Sequence, residues 1–265
     1  MTNSTSKNNI KELAEYIALK FNEKSTPLDI IVKQEGLSVF YDNYERGTFD
    51  GMTVYDDDSF FIHINIDNGN KEGSVRGRFT LAHELGHYFI DSHRVSLKNG
   101  LLQPHPSKTN IKQFNAIERE ADYFASCLLM PEEKFKKDIF KKKFSFNLID
   151  HLCSEYNVSR TACAFRFSDI GNHPIMIIYA ENGIVKWTHC SNDFPFKSLI
   201  SNPKVPEDMV MGEYFNKTRK SDIYKTEQIW AIDCFNFVKK EDTQRKFYEH
   251  CIPYRDCALS IVWED

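Results

Sequence analysis

The sequence predicts an α+β fold with a helix-rich first part and a β-rich C-terminal part. Three observations carry that prediction. Apolar residues recur at intervals of three and four within 10–21, 73–90 and 114–130, the signature of helices with one buried face. Between 37 and 66 lie short strand-like segments bounded by polar turns. Beyond Gly171 the chain changes to short β-like runs separated by tight-turn signals.

Ile10, Leu13, Ala14, Ile17 and Phe21 fall at helical spacing and give a first amphipathic helix. Ser25-Thr26-Pro27 opens a short second helix, with Pro27 at a first-turn position and Gly36 as its C-terminal stop. Leu37–Tyr41, Gly51–Tyr55 and Phe60–Ile66 read as strands. The turn Asp56-Asp57-Asp58-Ser59 joins the last two into a hairpin of a small antiparallel sheet. A helix spans about 73–90 and a long loop 91–112. A second strong helix runs over 114–130, and Pro131 starts a Lys-rich third. Residues 144–168, with Asn157-Val158-Ser159 at the turn, form a helix–turn–helix-like pair. Further on, Glu181-Asn182-Gly183 joins strands Ile175–Ala180 and Ile184–Thr188, and Trp230–Phe237 and Ala258–Trp263 read as strands. A boundary near 170 divides the chain into 1–170 and 171–265.

Composition narrows the function classes. Of 265 residues 41% are hydrophobic and 14% aromatic, enough for a packed core and against intrinsic disorder. The formal charge of −4 argues against strong non-specific binding of nucleic acid. The polar start lacks the apolar centre of a secretory signal, and the apolar run Ile175–Ala180 is far short of the ~20 residues that span a bilayer. Seven cysteines without a C-x-x-C spacing read as reduced thiols, so the expected location is the cytoplasm.

His83-Glu84-Leu85-Gly86-His87 is the one sharp motif. Residues four apart share a helix face, so His83 and His87 can bind one metal ion, and Glu84 borders the same site as a general base. Phe79, Leu81, Ala82, Leu85, Tyr88 and Phe89 surround the motif with apolar side chains, so the helix is expected to be buried. Buried histidines beside a carboxylate need partners, and a metal is one. Gly86 is tolerable mid-helix if another element packs closely against it.

A catalytic zinc site normally takes a third protein ligand and leaves a position open. The helix over 114–130 offers Glu118, Glu120 and Asp122. Its apolar stripe is Ile117, Ala121, Phe124, Ala125, Leu128 and Leu129. Glu118 lies roughly 60° from the stripe's centre on a helical wheel, with Asp122 just beyond on the same edge. Glu118 is therefore the better ligand, and Asp122 is placed to hydrogen-bond a ligand histidine. Glu120, on the other flank, reads as a solvated carboxylate.

The stretch from Arg78 to Phe89, followed by Glu118-Arg-Glu-Ala-Asp-Tyr-Phe-Ala-Ser-Cys-Leu-Leu-Met-Pro131, resembles the ImmA/IrrE family of zinc metallopeptidases. The resemblance covers roughly 8–170. It implies a metallopeptidase-like core in which His83, His87 and Glu118 hold zinc and Glu84 is the general base. Asp122 stands where many members carry Asn, a mild departure that keeps a polar group. The family's general role implies a zinc-dependent endopeptidase that cuts a protein substrate once, typically a helix–turn–helix repressor of a mobile element or stress response. Two alternatives stand beside it. One is a regulatory protein-binding module that keeps the metal but hydrolyses little. The weaker other is a DNA-binding regulator.

Other signals are less specific. Tyr55, His63, Tyr88, His93 and His105 are candidates for stabilising a transition state. Phe60–Ile66 is a candidate edge for an extended substrate to join as a strand. Lys134, Lys136, Lys137, Lys141, Lys142 and Lys143 read as the solvated face of an amphipathic helix. The pair over 144–168 offers few base-reading side chains beyond Arg160 and Arg166, which argues against direct DNA binding. Cys190, Cys234, Cys251 and Cys257 match no common zinc spacing.

Overall fold

The computed structural model describes residues 4–101, 116–216 and 225–264. The chain divides into two compact units, 1–138 with 152–159, and 139–151 with 160–265. The second unit thus takes in 160–170 as well as the residues beyond.

The first unit opens with α1 (Ser4–Ala18), which buries Ile10, Ala14 and Ile17, and α2 (Leu28–Gln34), which follows Pro27 and ends before Gly36 in the left-handed conformation. A three-stranded sheet comes next, from β1 (Ser38–Asp42), β2 (Gly51–Asp56) and β3 (Ser59–Asn65). Asp57 and Asp58 both adopt positive φ, which gives the two-residue turn its twist and closes the antiparallel β2–β3 hairpin. β1 joins β3 in parallel, so the sheet is mixed and its order is β1-β3-β2. That order corrects the expectation of an edge over Phe60–Ile66. β3 is paired on both sides, and β1 and β2 are the edges.

Four helices complete this part. α3 (Val75–Phe89) starts at Ser74, whose side chain accepts from the Gly77 amide. The residues after it are not the expected loop throughout, because Asp91–Lys98 form a helix, α4. α5 (Ala116–Leu129) carries the predicted apolar stripe into the core, and α6 (Glu132–Ile139) follows Pro131. Ile62 and Ile64 of β3, Leu81 and Leu85 of α3, and Phe124 and Leu128 of α5 are buried.

The helix pair is present as α7 (Phe146–Tyr156) and α8 (Arg160–Ile170), with Asn157 at positive φ in the turn. The second unit is built on a five-stranded antiparallel sheet of order β5-β4-β8-β7-β6. Its strands are β4 (Ile175–Glu181), β5 (Ile184–Cys190), β6 (Lys225–Trp230), β7 (Lys246–Tyr254) and β8 (Cys257–Glu264). Asn182 and Gly183 take positive φ in the β4–β5 turn, as a tight hairpin requires. Met176, Ile178, Phe194, Phe196, Phe235 and Phe247 belong to its core, together with residues of α9 (Val210–Asn216). The expected strand Trp230–Phe237 is not formed. Trp230 ends β6, and Ala231–Cys234 make a short helix, α10. Phe144 packs edge-on against Phe167 and Trp263, and Phe146 stacks on His250, all within the second unit.

Candidate metal centre

The helical repeat stacks His83 and His87 on one side of α3, as residues four apart must be. Both rings are buried, and their Nε2 atoms lie 3.1 Å apart. Glu118, in the first turn of α5, is buried opposite them. Its Oε2 is 3.4 Å from His83 Nε2, and its Oε1 is 3.4 Å from His87 Nε2. Gly86 permits this approach. A Cβ there would lie 3.2 Å from the Ala121 Cα and from a ring carbon of Phe124, so a larger residue would push α5 away. Leaving out the side chain at this position brings Glu118 within reach.

The donor set fits a small divalent cation. Tetrahedral sites with bonds of about 2.0–2.1 Å space their ligand atoms about 3.3–3.4 Å apart, close to the spacing found. His83 donates Nδ1–H to Asp122 Oδ1 at 2.8 Å, which leaves the lone pair on Nε2. With neither Nε2 protonated, two imidazole lone pairs would converge at 3.1 Å beside a carboxylate, an arrangement that favours a positive charge between them. With no metal bound, that charge is a proton on His83. Burial works against it, but the hydrogen bonds to Asp122 and Glu118 prevail and raise its pKa well above the ordinary imidazole range. A metal ion would displace that proton. Among the described residues, His83, His87 and Glu118 form the group of His, Cys, Asp or Glu side chains that could hold a metal ion.

Glu84 is fully buried. Thr53 of β2 donates its hydroxyl to Glu84 Oε2 at 2.7 Å. Gly51, two residues earlier on the same face of β2, leaves the space that the carboxylate occupies. A Cβ there would lie 2.6 Å from Glu84 Oε1 and 2.8 Å from the Thr80 methyl. Neither Gly51 nor Thr53 was singled out by sequence reasoning, since each is one small residue in an ordinary strand.

The remaining candidates separate clearly. His93, in α4, is buried with its ring 5.2 Å from that of His87, and its Nε2–H donates to Glu120 Oε2 at 3.1 Å. Burial first, then the neighbouring His87, pushes the His93 pKa down to about 4 against the pull of Glu120. Glu120 also accepts from the Ser6 hydroxyl at 2.9 Å, so it is not the solvated carboxylate its place on the wheel indicates. Tyr55 bonds Asp58 at the hairpin, Tyr88 bonds Glu35, and His63 bonds Tyr44. His105 lies outside the described residues. In the helix pair, Arg166 is buried and Arg160 is paired with Asp150 at 2.6 Å.

Residues 34–168, just over half of the chain, match the peptidase M78 family model, described as the IrrE N-terminal-like domain. The chain belongs to this family. The match takes in all three strands of the first sheet and His83, His87 and Glu118 of the M78 protein described here. Among solved structures, a Mycobacterium tuberculosis transcriptional regulator shares its fold with a TM-score of 0.63. The sequence identity is 16%, over 97% of this chain and 76% of that one. No curated protein matches this M78 chain in sequence. Among its described residues no helix is long and apolar enough to cross a membrane.

Proposed function

We propose that this M78 protein is a zinc-dependent endopeptidase that cuts a regulatory protein in the cytoplasm. The observation that carries the reading is the buried trio of His83, His87 and Glu118 beside the buried carboxylate of Glu84. Zinc bound to the trio supplies a Lewis acid for peptide-bond hydrolysis. The chain's own residues do the rest. Asp122 fixes the ring of His83 so that Nε2 faces the trio. Thr53 holds one oxygen of Glu84, and Glu84 takes a proton from the attacking water and returns it to the leaving amine. Apolar neighbours of the motif, Leu81, Ala82 and Leu85, keep bulk water from the helix that carries it.

The resemblance to ImmA/IrrE proteins favours a helix–turn–helix repressor as the substrate. The likeness to a protein titled a transcriptional regulator is in keeping with that setting. Direct binding to DNA is not part of the reading. A recognition helix needs an exposed polar face, and α8 buries Cys163, Ala164, Arg166, Phe167 and Ser168.

The test has two steps. Elemental analysis of the purified protein is expected to find about one zinc per chain, and none in a His83→Ala/His87→Ala variant. Mass-spectrometric labelling of new N-termini in an extract of the source cells then compares the wild type with Glu84→Gln. A cleavage product made by the wild type alone is expected. Failure to take up zinc, or equal cleavage by Glu84→Gln, overturns the reading.

A further inference from the structure

The strand pairings sort the first sheet's side chains into two faces. Thr53 lies opposite Ile62, and both point towards α3, where Thr53 meets Glu84. Phe60 of the same face packs edge-on against Tyr88 of α3, and Lys98 of α4 lies over Tyr55 and Phe60. Alternation then sends Phe40 of β1, Met52 and Val54 of β2, and Phe61 and His63 of β3 to the opposite, outer face.

That outer face is apolar and aromatic, yet it is not sealed. Phe40 stacks on Phe61 and on His63, with ring centroids 6.3 and 5.3 Å apart, and is still 45% exposed. Met52, Val54, Phe61 and His63 are half-buried. Burial lowers the pKa of His63, so its ring adds no positive charge near neutrality. A contiguous aromatic platform on a protein surface is a candidate contact site.

Charge says what kind of partner fits. By the same alternation Asp42 ends β1 and Asp56 ends β2 on the outer face, and both are exposed. Residues 38–72 carry eight carboxylates against two basic side chains, a net charge of −6 in a chain whose total is −4. The remainder of the chain is therefore net positive. Of the eight, Asp50 is buried and paired with Arg76, and the other seven are exposed. Flat rings bordered by carboxylates suit guanidinium groups, which stack on aromatic faces while donating to carboxylates at their edges.

We propose that the outer face of the β1-β3-β2 sheet is a docking surface for an arginine-rich segment of the protein on which this peptidase acts. The partner's role as substrate rests on the function proposed above. The docking itself does not need catalysis, which keeps the two readings separable. On this view the surface gathers the substrate from one side of the sheet while the trio and Glu84 act from the other.

The experiment uses the full chain carrying Glu84→Gln, with its zinc content measured, and fluorescein-labelled nona-arginine and nona-lysine peptides at physiological salt. Fluorescence anisotropy is expected to show the arginine peptide binding about fivefold more tightly than the lysine peptide. Phe40→Ala should remove that preference. Asp42→Asn/Asp56→Asn should weaken both peptides about tenfold. A control of equal charge, Glu12→Gln/Glu23→Gln, should change either affinity less than about twofold. Equal affinity for the two peptides overturns the proposal, and so does a control that weakens binding as much as the aspartate pair. Either result would leave the zinc and cleavage measurements standing.

Discussion

Thr53 donates its hydroxyl to Glu84 across the gap between β2 and α3, and both side chains are buried. The pair fixes one oxygen of the carboxylate that the mechanism needs. A hydrogen bond to a buried charged group contributes about 1.5–3 kcal/mol. Thr53→Val keeps the shape and deletes the donor, so stability should fall by about that amount in denaturant melts. Turnover should fall with KM and zinc content little changed, and Thr53→Ser should recover both. A valine variant with normal turnover and stability would show that Glu84 needs no such support.

Asp122 acts one bond further out. It is half-exposed, yet it accepts from His83 Nδ1 at 2.8 Å and so sets which nitrogen faces the trio. Loss of such a partner typically lowers metal affinity about 10- to 100-fold. Asp122→Ala should show that loss in a zinc titration against a competing chelator. In the absence of zinc it should also lose stability, by about 1–3 kcal/mol, because the buried His83 ring is left without its partner.

The second unit should carry a pH signature of its own. Glu249 is fully buried on β7, and burial pushes its pKa up to about 7 against hydrogen bonds from Ser260 and the amides of Met211 and Val210. Between the unfolded value of 4.5 and about 7, the folded chain keeps a proton that the unfolded chain has released. The stabilisation is thus full below 4.5 and lost as pH rises through 7, by about 3 kcal/mol. His250 has the opposite sense. Burial lowers its pKa to about 4, so its contribution is present above 6.5 and lost as pH falls through 4. Glu249→Gln should remove the decline between pH 4.5 and 7 in thermal melts and so expose the opposite loss from His250 as pH falls below 6.5. A profile between pH 4.5 and 7 identical to that of the wild type would mean that Glu249 does not titrate in this range.

Sheet order makes a prediction about exchange. β3 is paired on both sides, so its amides should exchange slowly with no partner present. β2 pairs on one side only and carries Gly51 and Thr53 beside Glu84. An extended substrate that joins the sheet near the site would have to add to β2, and its outward amides should then become protected. Protection of β1 instead would place the added strand on the far edge.

Much of the site was legible because a helix turns local spacing into geometry. The four-residue separation of His83 and His87 and the wheel position of Glu118 predict the trio without any long-range information, and Gly86 marks the crossing of the two helices. Strand order is a different matter. Nothing local to Phe60–Ile66 says that β1 returns in parallel to cover its second edge. The Thr53–Glu84 bond joins residues 31 apart through one small side chain, and His93 finds Glu120 across 27. β7 does not read as a strand because Glu249 and His250 sit where a buried strand would show apolar residues, and Glu249 is accommodated by partners from elsewhere in the fold. Trp230–Phe237 has the composition of a strand, but its chain turns into α10 after Trp230.

The order in which the chain visits its two units sets limits on how this gene can be cut or shuffled. The polypeptide enters the second unit at 139, returns to the first for 152–159 and leaves again at 160. No single break therefore yields both halves intact. A product ending near 170 would keep Phe144 and Phe146 but lose Trp263 and His250, the rings they pack against. The C-terminal sheet is consequently not a detachable tail, and a mutation that halts translation after the peptidase motifs should yield an aggregating fragment rather than a minimal enzyme.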